Sequence, residues 1–437
     1  MKKQIALTAR PGISLSLNVP GFPKSNPIAT SFFAYCLRDL KYALKANLVT
    51  ICEQEAIESC DAAGDFFMVP CAMGALSLQT IKQVCEDFEQ SHALGRFIDA
   101  DLNDQNGETV SSGKSKLCFF CLERPAIECR REEAHDVNEL RNFMFPKMEG
   151  YCREQREILI IRKLSELAQR AVLAEISLTP KPGLVDRLST GSHADMNYET
   201  FIHSTAAISP WFGDLVREGF SYRNNDLKKA LPVIRGIGLR MESAMFEATQ
   251  NINTQKGIIF LMGVALFACG KLFGQNDRFN PTEFREIVKE MCSDLVEKEL
   301  CILSDSGHSH GEQIYRKYGF SGARGEAKSG FATVFEFGLP VLTNSIELND
   351  ESLIKSFLAI AANNNDTNIL YRSDPGVLGE FKQLCNTALL NYCEESYSAV
   401  IDFCKGKNIS PGGSADLLAV TIFIWSVMNI EGQFGLQ

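Results

Sequence analysis

The chain has 437 residues and carries 44 Lys and Arg against 54 Asp and Glu, a net charge of -10. Its length exceeds one ordinary core and predicts a multidomain protein, while the acidic balance excludes the electrostatic footprint of a nucleic-acid partner. The longest uncharged apolar run, residues 258–270, is shorter than the about 20 residues a membrane span requires, so it predicts a buried helix and no membrane partner.

At the N-terminus, Arg10 and Pro11 interrupt the sequence before a signal-peptide core can form. Fifteen cysteines without an export signal then predict reduced thiols in the cytoplasm. From residue 13 to 150 the pattern is mixed: SLSLNV and FFMVPC are strand-like, while Ile28 to Leu48 and Leu78 to Phe88 carry apolar residues at helical spacing. An α/β or α+β domain is expected. Within GRFIDAD, Asp99 and Asp101 alternate with apolar residues, and on a strand both carboxylates share one face. Such a pair could hold Mg²⁺ against phosphates or belong to a plain polar turn. An EF-hand is excluded, because position six counted from Asp99 is Asp104 instead of glycine. Cys118, Cys121, Cys129 and His135 follow in the spacing C-x2-C-x7-C-x5-H, a candidate closed Zn²⁺ site set against packed, reduced cysteines.

Around residues 145–157 the character changes, which predicts domains 1–150 and 151–437. Ile161, Leu164, Leu167, Ala168, Ala171 and Val172 mark one face of a long helix. Further helices are expected at Tyr198 to Ile208, Leu231 to Thr249, Gly257 to Phe273, Pro281 to Leu300 and Ala415 to Met428, so this second domain should be all-α. Its polar groups gather in four loops. TPKPGLVDRLSTGSHAD (Thr179 to Asp195) begins with two prolines that end the preceding helix. GARGEAKSGF contains Arg324, Glu326 and Lys328, and NNNDTNIL contains Asp366 and Asn368. In SPGGSADLLA, Ser414 is a candidate N-cap, and the amides of Gly412 and Gly413 a candidate anion seat. Each loop alone also reads as ordinary solvated or capping structure. Together they point to a phosphate-rich, metal-dependent site.

The motifs EISLTPKPGLVDRLSTGSHADM, RGIGLRMESAMFEATQNINTQKGIIF, GARGEAKSGF and SPGGSADLLA resemble, in order and spacing, the triphosphoribosyl-dephospho-CoA synthases. The resemblance implies conversion of ATP and 3'-dephospho-CoA into the 2'-triphosphoribosyl derivative with release of adenine. It implies Asp186 and Asp195 at Mg²⁺ or the reacting ribose, and Lys181, Arg187, Lys256 and Arg324 at phosphates. Glu326, Asp366 and Asp416 are further candidate carboxylates, and His193 a candidate acid or adenine contact. Gln255 stands where the family usually has histidine.

The region with NVPGFPK, GRFIDAD and the Cys/His run resembles the citrate lyase holo-acyl-carrier-protein synthases, which are phosphoribosyl-dephospho-CoA transferases. That resemblance implies transfer to a serine of the apo acyl carrier protein, the gamma subunit of citrate lyase, with loss of pyrophosphate. Asp99 and Asp101 would hold Mg²⁺, while Arg96, Lys116 and Arg131 would meet phosphates. The competing readings are a zinc-stabilised N-terminal module that only docks the carrier, and a C-terminal hydrolase of nucleotides or ADP-ribosyl compounds.

Overall fold

The computed structural model describes residues 10–72, 76–111, 113, 116–301, 310–345 and 347–430. The chain divides into two compact units, one running to Arg156 and the other starting at Glu157.

The N-terminal unit contains β1 (Gly12–Leu17), α1 (Pro27–Ala46), β2 (Ile57–Asp61), β3 (Gly64–Pro70), α2 (Leu78–Ser91), β4 (Ile98–Asn103) and α3 (Ala126–Arg131). Its four strands lie in the order β2-β3-β1-β4, and every pair is antiparallel, which makes this unit α+β. Strand alternation explains the packing. Ile13, Leu15, Ile98, Ala100 and Leu102 enter the core with Phe32, Phe67 and Val69, leaving Asp99 and Asp101 together on the other face of β4. Asp99 stands opposite Ser16 and Asp101 opposite Ser14. Helix α1 starts at Pro27, with the Asn26 side chain accepting from the Ala29 amide.

The change of character at residues 145–157 does not correspond to a loop. Those residues lie inside one helix, α4 (Val137–Ser177), which accommodates Pro146. Met144 and Met148 join the first core, and Ile160, Leu164, Ala168, Ala171 and Val172 join the second.

After α4 the C-terminal unit is helical throughout its described residues: α5 (Tyr198–Ile208), α6 (Phe212–Ser221), α7 (Ala230–Ala248), α8 (Lys256–Phe273), α9 (Pro281–Met291), α10 (His310–Tyr318), α11 (Gly322–Lys328), α12 (Leu339–Thr343), α13 (Asp350–Asn363), α14 (Thr367–Arg372), α15 (Pro375–Leu390), α16 (Glu394–Lys407) and α17 (Gly412–Met428). The helix expected over Pro281 to Leu300 stops at Met291, and a short π-helical turn follows at Glu297–Cys301. Helix α8 is long and apolar enough to cross a membrane, but it is the central helix of the bundle and mostly buried. The described cysteines are free thiols.

Phe267, on α8, is fully buried and meets the Tyr222 ring edge-on at 5.4 Å. Phe267→Ala should cost the helical unit about 3–5 kcal/mol, read as a lower denaturant midpoint for its loss of helical circular dichroism.

Candidate active site

Helix α4 ends at Ser177, and the chain turns back along it. Lys181 is buried, with Nζ donating to Glu175 Oε1 at 2.7 Å and to the Glu175 carbonyl at 3.0 Å. Asp186 builds the loop. Its Oδ2 accepts from the Lys181 amide at 2.9 Å, and its Oδ1 from the Leu188 and Ser189 amides, each at 2.8 Å. Gly183, at φ +65°, allows a close approach: a Cβ there would lie 2.2 Å from the Ile409 carbonyl oxygen. Asp186 is therefore committed to the backbone and does not line the cavity beside it, and Arg187 points to solvent. Arg187 does not line that cavity either.

That cavity, of about 400 Å³, gathers Glu175, Lys181, His193, Asp195, Lys256 and Asp416. Helix α17 starts at Gly412, so Ser414 lies in its first turn and is not the N-cap. The anion at this helix end is Asp366. Its Oδ2 accepts from the Ser414 amide at 2.7 Å and the Ser414 hydroxyl at 2.9 Å, while its Oδ1 takes the Asn368 amide of α14 at 3.0 Å. Burial pushes the Asp366 carboxyl up despite these donors. A protein carboxylate thus holds the seat that the sequence suggested for a phosphate at Gly412 and Gly413.

Asp416, two residues further along, has no hydrogen bond or ion pair among the described residues. Burial, then the like charges of Glu175 and Asp366, raise its pKa well above the ordinary aspartate range. It packs on Gly257, where a Cβ would lie 2.0 Å from Asp416 Oδ2. Gly257 is in the first turn of α8, whose N-cap residue Gln255 makes no side-chain cap, although Asn253 Oδ1 accepts from the Lys256 amide at 3.3 Å. The helix dipole and the Lys256 cation together favour an anion at this end. Lys256 is half exposed and reaches Glu242 at 2.9 Å. Gln255 also lines this cavity but is buried, donating Nε2 to Thr205 Oγ1 at 3.1 Å and accepting from Ser204.

His193 Nε2 lies 2.9 Å from Ser410 Oγ, and Arg372 Nη2 lies 3.3 Å from Nδ1. Since arginine only donates, Nδ1 accepts and Nε2 carries the proton. Burial, then the Arg372 charge, lowers the His193 pKa. His193 thus lines the cavity while tying its loop to Ser410 and Arg372. Glu326 lines the cavity, but both its oxygens are taken by the Thr333 amide and hydroxyl, at 2.7 and 2.9 Å.

A second cavity, of about 790 Å³, shares Asn253, Lys256, Gly257, His310, Ala323 and Asn368 with the first. Leu231, Ile234, Leu239, Phe246 and Phe260 give it an apolar wall, and Arg324 is at its edge, ion-paired with Glu299 at 2.7 Å.

In the N-terminal unit each aspartate of β4 has a lysine. Lys82 Nζ lies 3.0 Å from Asp101, and Lys116 Nζ lies 2.6 Å from Glu89 and 3.5 Å from Asp99. Burial, then the Asp101 charge, raises the Asp99 pKa. Arg96 donates to the Leu117 carbonyl, and Arg131 is exposed at the end of α3. Lys82, in the polar part of a helix with ordinary amphipathic spacing, has no sequence signature. Glu175 was equally hidden, although its place six residues before Lys181 is the spacing a chain reversal uses.

In this helical unit lysines, carboxylates and a helix N-terminus meet beside a second large cavity. Residues 161–434 match the ATP:dephospho-CoA triphosphoribosyl transferase family, and residues 2–151 match the apo-citrate lyase phosphoribosyl-dephospho-CoA transferase family. Protein CitXG of Leuconostoc mesenteroides subsp. cremoris is 31% identical over 94% of this chain and 90% of its own length. A probable 2-(5''-triphosphoribosyl)-3'-dephosphocoenzyme-A synthase of Photobacterium profundum is 36% identical over 68% of this chain and 99% of its own. The synthase of Pectobacterium atrosepticum is 37% identical over 62% of this chain and 91% of its own. The chain belongs to the ATP:dephospho-CoA triphosphoribosyl transferase family and carries the apo-citrate lyase transferase region ahead of it. It is a bifunctional maturation enzyme of citrate lyase, and neither the docking-only nor the hydrolase reading is favoured.

The His193 ring should titrate by NMR with a midpoint below 6.5. Arg372→Gln should move that midpoint up and Asp195→Asn should move it down. Because the unfolded chain takes the proton first as pH falls through 6.5, this site contributes stability above that pH and loses it below.

Proposed function

We propose that the two activities divide between the two units in the cytoplasm, the C-terminal unit making the triphosphoribosyl compound and the N-terminal unit transferring it. In the first reaction the ribose 2'-hydroxyl of dephospho-CoA attacks the anomeric carbon of ATP. The C–N bond to adenine breaks, and the hydroxyl proton leaves with the base. The observation that carries this reading is Asp416: a carboxylate without a partner among the described residues, on the wall of one cavity and against the Gly257 turn that both cavities share.

ATP fits the smaller cavity with its phosphates toward Lys256 and the N-terminus of α8. The apolar wall of the larger cavity suits the pantetheine arm of dephospho-CoA. Mutual repulsion among Glu175, Asp366 and Asp416 is what a divalent cation relieves, and hard oxygens suit Mg²⁺. Glu175 and Asp416 would hold it, in place of Asp186, and when bound it neutralises charge on the triphosphate. Lys181 fixes the Glu175 carboxylate, and the ionised Asp416 stabilises positive charge developing on the ribose.

In the second reaction a carrier serine attacks the α-phosphate of the triphosphoribosyl group, forming a phosphodiester and releasing pyrophosphate. Asp99, made more basic by burial and the Asp101 charge, takes the serine proton, while Lys82 and Lys116 bind phosphate oxygens. With both carboxylates already matched by lysines, this face fits phosphate better than the Mg²⁺ expected at Asp99 and Asp101. The carrier is the gamma subunit of citrate lyase.

Incubation with ATP, Mg²⁺, dephospho-CoA and apo carrier, followed by mass spectrometry, should show adenine and a carrier heavier by one phosphoribosyl-dephospho-CoA. Adenine release that does not require dephospho-CoA would overturn the first assignment. Asp416→Asn should lower adenine release by at least about 100-fold, while Asp186→Asn should act chiefly on thermal stability. The acid limb of kcat/KM for adenine release should fall above the ordinary aspartate range of about 4, because the ionised carboxylate is the active form and its pKa is raised.

A further inference from the structure

The segment between β4 and α4 belongs to neither reaction directly, yet it carries a group of side chains that ordinary packing does not explain. Cys118 begins a tight turn. Its amide donates to the Arg124 carbonyl at 2.8 Å, its carbonyl accepts from the Leu122 amide at 3.1 Å, and Leu122 itself sits at φ 60°. This turn brings Cys121 back toward Cys118. Cys129 lies on α3, and a second reversal, with Glu133 at φ 48° and the Ala134 amide donating to the Cys129 carbonyl at 3.0 Å, delivers His135. The result is that one ligand atom from each of Cys118, Cys121, Cys129 and His135 lies within 4.8 Å of all the others.

Two observations separate this from a cluster of reduced cysteines. The first is distance. Tetrahedral zinc with Zn–S bonds of about 2.3 Å sets its sulfurs about 3.8 Å apart, and Cys121 Sγ lies 3.8 Å from Cys129 Sγ. The second is His135 Nε2, which is buried and has no hydrogen-bond partner among the described residues. A buried polar atom left unsatisfied costs stability, and packing the ring edge-on to Phe120 at 5.0 Å does nothing for that nitrogen. A metal would.

We infer that Cys118, Cys121, Cys129 and His135 bind one Zn²⁺ in a closed, four-ligand structural site. Three soft thiolates and an imidazole in tetrahedral reach select zinc over the oxygen-seeking Mg²⁺ of the reactions. With all four positions filled by protein, the ion has no place for water or substrate, so its role is to hold the chain. What it holds is Lys116, two residues before Cys118, whose ammonium stands between Glu89 and Asp99. The zinc is therefore a positioning device for the N-terminal transfer site, and that consequence rests on the function proposed for Asp99.

The full chain contains its own control, because adenine release belongs to the other unit. Purified protein from zinc-supplemented medium should contain about one zinc per chain by elemental analysis. Replacing it with Co²⁺ should give the absorption of tetrahedral thiolate-bound cobalt. Cys121→Ser and His135→Ala should each lower zinc retention and carrier modification while leaving adenine release unchanged. Loss of zinc and the cobalt signature with carrier modification intact would keep the metal site and overturn its link to Lys116. Absence of zinc from the unsubstituted chain, with no cobalt spectrum, would overturn the site, and so would stoichiometric binding of another metal.

Discussion

The C-terminal site depends on one buried carboxylate. Asp366 joins the starts of α14 and α17 by accepting from Asn368 on one and Ser414 on the other. Two helix N-termini, both carrying positive partial charge, are drawn to the same anion. From α17 this fixes Asp416 two residues beyond Ser414, and from α14 it fixes Arg372, which reaches Ser192 and His193 in the loop after α4. One side chain thus sets the mutual placement of three segments far apart in sequence.

A consequence is that much of the polar chemistry of the loops is internal. Asp186, Asp366, Glu326 and Gln255 direct their polar atoms to amides, hydroxyls and neighbouring helices. These bonds hold irregular backbone in place at the helix ends, where buried amides would otherwise lack partners. The groups left over line the cavity: Asp416 without a partner among the described residues, Lys256 in a half-exposed pair, and Gly257 in the first turn of α8. Stability and reactivity are therefore divided among residues of the same chemical type.

This division explains what could be read in the sequence. Helices with strong apolar periodicity, such as Tyr198–Ile208 and Lys256–Phe273, were legible nearly to the residue, as was the shared face of Asp99 and Asp101 on β4. The site was legible as a set of loops but not as a set of roles. Whether an aspartate meets a ligand or a backbone amide depends on how the loops meet in space, so Asp186 and Asp416 could not be ranked from spacing. The character change at residues 145–157 was real in composition, because the buried partners of the helix change there, but composition does not reveal that the helix continues through Pro146.

The charge of the molecule supplies the last step. A chain at -10 has to bind triphosphates without a general positive field. The cations beside its candidate sites stand against carboxylates: Lys181 on Glu175, Lys256 on Glu242, Lys82 on Asp101, Lys116 on Glu89 and Asp99. Such a pair holds the lysine in place before substrate arrives, and an incoming phosphate competes with a carboxylate for a cation already oriented. Binding then exchanges one charge-assisted contact for another. The net gain is smaller than an unpaired lysine would give, and this suits an enzyme whose first product has to leave one site to become the substrate of another.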